Sequence, residues 1–113
     1  MQPSRIPSLN WLRVFDAAAR HQSFASAGRE LNMSAAAVSQ QILALETYLR
    51  KPLFVRSPNR VRLTVEGNEF LPTVQVSLRT IEAKTASLFP RKNEERISLV
   101  ASQLMAMSWL PRR

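Results

Sequence analysis

The 113-residue sequence contains no cysteine, which excludes disulfides and thiolate–metal chemistry alike. Histidine is almost as scarce: His21 is the only one. A zinc site would have to combine that single imidazole with carboxylates, so no metal or cofactor is expected, and a solvated place at a helix end suits His21 better. With glycine confined to Gly28 and Gly67, no glycine-rich phosphate cradle can be built. No nucleophile, base and acid recur in a pattern that would support catalysis, so enzyme activity is not expected. No apolar run is long enough to span a bilayer, and the N-terminus lacks the apolar core of a signal peptide. A cytoplasmic location without a membrane partner follows as the expectation. Acids are missing over one long stretch. Between Thr47 and Val65 stand Arg50, Lys51, Arg56, Arg60 and Arg62, with no Asp or Glu among them.

What is present is strongly basic. A formal net charge of +8 and a pI near 11.5 suit a polyanionic partner. Composition alone fits ribosomal and membrane-surface proteins too, so the placement of the charge carries the argument. The length accommodates one ordinary domain plus an extension.

The segments Ser23–Leu31 and Ser34–Leu45 read as capped helices separated only by Asn32 and Met33. Each opens on a serine whose hydroxyl can accept from an orphan amide of the first turn. Ala25, Ala27 and Gly28 are small enough for a second helix to approach closely. Two helices joined by so short a turn have the geometry of a helix-turn-helix, whose second helix can be presented to the major groove of DNA. A preceding helix is expected from Ser8 to about Arg20, with Leu9, Leu12, Phe15 and Ala19 forming its apolar stripe. Ala27 and Leu31 of the second helix, and Val38, Ile42, Leu45 and Leu49 of the third, should face the same core.

At ~100° per residue, the far side of the third helix carries Ala36, Gln40, Leu43 and Thr47, flanked by Ala37, Ser39 and Ala44. None is charged. Ser39 and Gln40 can donate and accept, and alanine methyls can rest on thymine methyls. An alanine-rich helix favoured by propensity alone would show the same face.

Arg50-Lys51-Pro52 should end the third helix, because the residue before proline is pushed out of the α region. Leu53–Arg56 and Val61–Thr64 flank Ser57-Pro58-Asn59-Arg60 and read as a small hairpin, a wing with Arg60 at its tip and Arg56 at one edge. Both arginines suit phosphates or a narrow minor groove. Thr64 then caps a long helix, and Glu66 and Glu69 sit near its positive end. Leu71, Val74, Leu78, Ile81, Thr85 and Leu88 repeat at three and four, a heptad seam whose expected partner is a second copy of the helix. Packing of that stripe on the chain's own helices is the competing reading. Pro72 interrupts the backbone bonding, so a kink near Asn68, or a straight seam beginning after it, is expected.

Taken together, Leu12…Phe15, Ser23-Phe24, Ala27, Leu31, Ala37-Val38-Ser39, Gln41-Ile42, Leu45-Glu46, Pro52-Leu53-Phe54, Arg56 and Leu63-Thr64…Gly67 resemble the LysR-type transcriptional regulators of bacteria. The run Leu9–Arg20 is most similar to the subgroup of the glycine-cleavage activator and the β-lactamase regulators. The resemblance implies a mainly α fold: a winged helix-turn-helix DNA-binding domain at 7–64, a linker and dimerisation helix at 65–89 and a hinge at 90–96. Residues 97–113, with the strand-like Ile97–Ala101, would open an effector-binding domain that lies largely beyond this sequence. It also implies double-stranded DNA as partner, a homodimer or tetramer as the assembly, and a small-molecule effector only where that further domain is present.

Three positions depart from the family pattern. Ala35 stands where glutamine or another polar reader is usual, Leu43 where a basic residue is common, and Arg50 where a glycine normally follows the third helix. Arginine tolerates a left-handed backbone poorly. On this reading Ser34 caps the recognition helix, Ala36, Ala37, Ser39 and Gln40 face base edges, and Arg56 and Arg60 contact the backbone and minor groove. Leu71, Val74, Leu78, Ile81 and Leu88 join two copies. The rival function is a winged-helix assembly module that pairs with full-length regulators without binding DNA itself.

Overall fold

A computed structural model describes residues 6–89. The order of elements is α1 (Leu9–His21), α2 (Phe24–Leu31), α3 (Ala35–Leu49), β1 (Phe54–Arg56), β2 (Val61–Leu63) and α4 (Val65–Leu88). The expected hinge at 90–96 and the expected domain opening at 97–113 lie outside the described residues. By packing the described chain divides into two units between Leu78 and Arg79. The core belongs to the first of these units.

Each helix begins where a hydroxyl can hold its first turn. Ser8 accepts from the Trp11 amide, Ser23 from Ser26, Ser34 from Ala37 and Thr64 from Gly67. The first three helices end on left-handed residues, Gln22, Asn32 and Arg50, with φ of 53°, 59° and 59°. At Arg50 the Arg50 and Lys51 amides donate back to the Thr47 and Glu46 carbonyls, the bonding of a Schellman end. Arginine therefore does occupy the position where the sequence argued for glycine, at a conformational cost of about 1 kcal/mol.

The three helices pack on one another around Phe15, Val38, Ile42 and Leu45, all fully buried. Phe15 meets Phe54 edge-on and stacks on Phe70, so one ring joins α1 to the wing and to α4. The buried surface of α1 is broader than the expected stripe. Val14, Ala17 and Ala18 are buried beside Leu12 and Phe15, while Leu9 is exposed and Ala19 only half-buried. The reason is that α1 is packed by α2, α3 and β2 together, whereas Leu9 sits at its very first residue. Gly28 allows the turn after α2 to close, since a Cβ there would run into the Met33 carbonyl.

β1 and β2 form an antiparallel hairpin in the register Phe54↔Leu63, Val55↔Arg62 and Arg56↔Val61. The Ser57 amide donates to the Arg60 carbonyl across its turn at 2.9 Å. Thr64 closes the base: its hydroxyl donates to the Pro52 carbonyl and its amide to that of Leu53. A Cβ at Gly67 would strike that same Leu53 carbonyl, so only glycine lets α4 start so close to the wing.

α4 is one helix with Pro72 inside it. Pro72 and Asn68 are both exposed, so water can take the bond that the Asn68 carbonyl loses. The heptad seam is divided. Val74 is 2% exposed and belongs to the core of its own domain, with Leu71 and Leu78 packed against it. These three therefore do not form the free seam expected of them: covering the three-helix unit buries them first, and burying a valine contributes about 1.5–3 kcal/mol. Gln75 reinforces that docking by donating to Asp16 of α1 at 2.9 Å. Further along, Ile81 is 46% and Leu88 62% exposed, and the Thr85 hydroxyl bonds back to the Ile81 carbonyl.

Candidate nucleic-acid interface

The helix α3 turns three residues to the core and an uncharged surface outward. Ala36, Gln40, Leu43 and Thr47 are exposed, and Ala37, Ser39 and Ala44 flank them half-buried. This is the division expected from the sequence. Exposed Ala35 and Ser34 stand at the amino end, where the Ser34 hydroxyl accepts the Ala37 amide at 3.0 Å. The first-turn amides carry the positive end of the helix dipole, which favours a phosphate.

The wing is fastened to the three-helix unit at several points. The Val61 amide donates to the Gln22 carbonyl between α1 and α2 at 3.2 Å. Phe54 is buried edge-on against Phe24 of α2. Glu46, on α3, accepts the Leu53 and Phe54 amides through one carboxylate oxygen at 2.7 and 3.2 Å. Sequence reasoning places it only within the family pattern and misses this role. The available signal was its being the lone acid of the third helix, directly ahead of a long basic stretch.

The two wing arginines sit differently. Arg60 is exposed in the turn between the strands, as a tip residue should be. Arg56 is engaged within the protein: its Nη1 donates to the Ser39 hydroxyl at 2.7 Å, its Nη2 lies 3.9 Å from Glu46, and its guanidinium stands over the Phe24 ring. The structure thus brings Ser39 and Arg56 together and leaves Gln40 and Arg60 open to solvent.

A second polar cluster joins α1 to α2. Arg20 forms a two-pronged pair with Glu30 at 2.9 and 2.6 Å, while its Nε donates to Asp16. His21 meets Glu30 at 2.7 Å. The Arg20 hydrogen bonds, followed by that of His21, hold the Glu30 carboxyl down to about 2. The same pairing pushes the Arg20 guanidinium above its ordinary value. His21 is thus a hydrogen-bond partner of Glu30 at a helix end. Among the described residues no cluster of metal-binding side chains occurs, and no helix is long and apolar enough to cross a membrane.

Residues 9–68 match the family model of the bacterial regulatory helix-turn-helix proteins, lysR family. The chain belongs to that family. The match covers all three helices, the wing and the start of α4. The HTH-type transcriptional activator AmpR of Providencia stuartii is 42% identical over 106 residues, 94% of this chain and 36% of that protein. The glycine cleavage system transcriptional activator of Escherichia coli K12 is 39% identical over 106 residues, 94% of this chain and 35% of its own length. This chain therefore spans about a third of the length of those regulators. In three dimensions it is similar to the BenM_DBD chain in the crystal structure of a BenM_DBD/benA site 1 DNA complex. The two superpose with a TM-score of 0.68 at 28% identity, over 81% of this chain and 97% of that one. The fold is the winged helix of LysR DNA-binding domains.

Proposed function

We propose that this lysR-family chain is a cytoplasmic transcriptional regulator that binds duplex DNA sequence-specifically as a homodimer, without catalysis. α3 enters the major groove, with Ala36, Ala37 and Gln40 against base edges and Ser34 holding its amino end toward a phosphate. The wing lies along the backbone and minor groove, with Arg60 supplying a charge contact. Ile81 and Leu88 of α4 meet a second copy. One observation carries the reading: an exposed, uncharged helix face stands beside a hairpin that presents Arg60, in a stretch free of acids from Thr47 to Val65. A neutral, short-chained face can approach base edges closely, while surrounding cations supply affinity. The relatives named as transcriptional activators and the related DNA complex support it. So does the exposure of Ile81 and Leu88, which leaves an apolar stripe for a twin helix.

Fluorescence anisotropy of this chain on labelled duplex DNA across a salt series tests the reading. Binding should weaken steeply with salt, with a log–log slope of about −0.9 for each phosphate neutralised. A chain that dimerises yet fails to bind any duplex at low salt would establish the assembly module in its place.

A further inference from the structure

The engagement of Arg56 by side chains of its own protein changes what that residue and Ser39 are for. Its guanidinium is held from three sides: the Ser39 hydroxyl at 2.7 Å, the Glu46 carboxylate at 3.9 Å, and the Phe24 ring 4.9 Å beneath it. Ser39 and Glu46 lie seven residues apart on α3, two turns along the same face. Phe24 belongs to α2 and Arg56 closes β1, so one side chain links the wing to both helices of the helix-turn-helix. Glu46 completes the link, since its other oxygen accepts the amides of Leu53 and Phe54 at the entry to β1. A planar fork over an aromatic ring resists sliding, unlike a lysine ammonium.

We infer that Ser39, Arg56 and Glu46 form a clamp that sets the wing's position on the recognition helix. Arg56 and Ser39 are positioning residues that act on DNA affinity through Arg60. In the DNA-binding reading, on which only the affinity half of this inference rests, Ser39 is not a base reader and Arg56 is not an independent phosphate contact.

Two measurements on the full chain test this. Amide hydrogen exchange of the free protein reads the clamp without DNA. Ser39→Ala and Arg56→Lys should speed exchange at Ser57 and Val61 on the order of fivefold, as expected for loss of one charge-assisted bond at a half-exposed site. The core amides of α1 should keep their protection, and Ser39→Thr, which retains the hydroxyl, should restore the wing. Unchanged wing exchange in both variants overturns the clamp, whatever DNA does.

The second measurement is affinity for a duplex selected from a random pool by the unmodified chain. Ser39→Ala should weaken binding several-fold in the native background and have no further effect beside Arg60→Ala. A Ser39→Ala loss that persists beside Arg60→Ala, confined to one base position, would make Ser39 a direct reader and overturn the inference. If no duplex is bound at all, the function proposed above fails, and the exchange result still decides the clamp.

Discussion

Removing the Glu46 carboxylate should destabilise this domain far more than its place on a helix suggests. Its side chain is 13% exposed, and one oxygen takes the amides of Leu53 and Phe54 at 2.7 and 3.2 Å. Both of those residues are buried. Glu46→Ala leaves two interior N–H groups without an acceptor. A hydrogen bond to a charged group contributes about 1.5–3 kcal/mol, so even the low end for the pair gives a loss near 3 kcal/mol. For a domain of this size, each kcal/mol moves the melting temperature by about 4–8 °C, and thermal denaturation followed by circular dichroism should show a fall of more than about 10 °C. Glu46→Gln keeps an amide oxygen in place and should recover roughly half of the loss, because a neutral acceptor bonds about half as strongly as a charged one. An ordinary surface glutamate would cost no more than about 0.5 kcal/mol. A Glu46→Ala protein melting within about 3 °C of the native chain would refute the reasoning.

Four further outcomes follow from other contacts of the fold. Arg50→Gly removes the left-handed penalty at the end of α3 and should raise stability by about 1 kcal/mol in urea denaturation. Val74→Ala should lower the melting temperature by an amount independent of protein concentration, corresponding to about 2 kcal/mol. If α4 pairs with a second copy as proposed, Ile81→Glu with Leu88→Glu should instead leave the domain folded and give a monomer in sedimentation, where the native chain gives a dimer. Because Glu30 titrates lower in the folded chain than its ordinary value of about 4.3, its ion pairs stabilise the fold above that range, and the contribution disappears as pH falls toward about 2. The effect on stability is small at so exposed a site. NMR titration should nonetheless place Glu30 low, and Arg20→Ala should return it toward the ordinary range.

Much of this architecture is legible in local chemistry. Ser8, Ser23, Ser34 and Thr64 mark helix starts because each offers an oxygen to amides that have no other partner. Pro58 and Asn59 mark the hairpin turn for an equally local reason. The outward face of α3 is legible because its core face, Val38, Ile42 and Leu45, is unambiguous. Long-range competition hides the rest. Val74 fits a dimer seam and a domain core equally well by periodicity, and only the packed helices show which claims it. Arg56 looks like a free cation until Phe24, Ser39 and Glu46, distant in sequence, converge on it. Glu46 has no short motif announcing that its carboxylate accepts the amides of Leu53 and Phe54, seven and eight residues away. Arg50 shows that a favourable backbone closure can override a residue's own preference.

The central claim, that the neutral face of α3 reads bases while the wing supplies charge, meets its most direct test in one competition experiment. Native, Gln40→Ala and Arg60→Ala chains would each be bound to a randomised duplex pool, and the selected sequences and affinities compared. Gln40→Ala should flatten the preference at a restricted set of positions while retaining most non-specific affinity. Arg60→Ala should weaken every duplex alike and make the salt slope shallower by about 0.9. Identical losses of base preference from both changes would contradict the account.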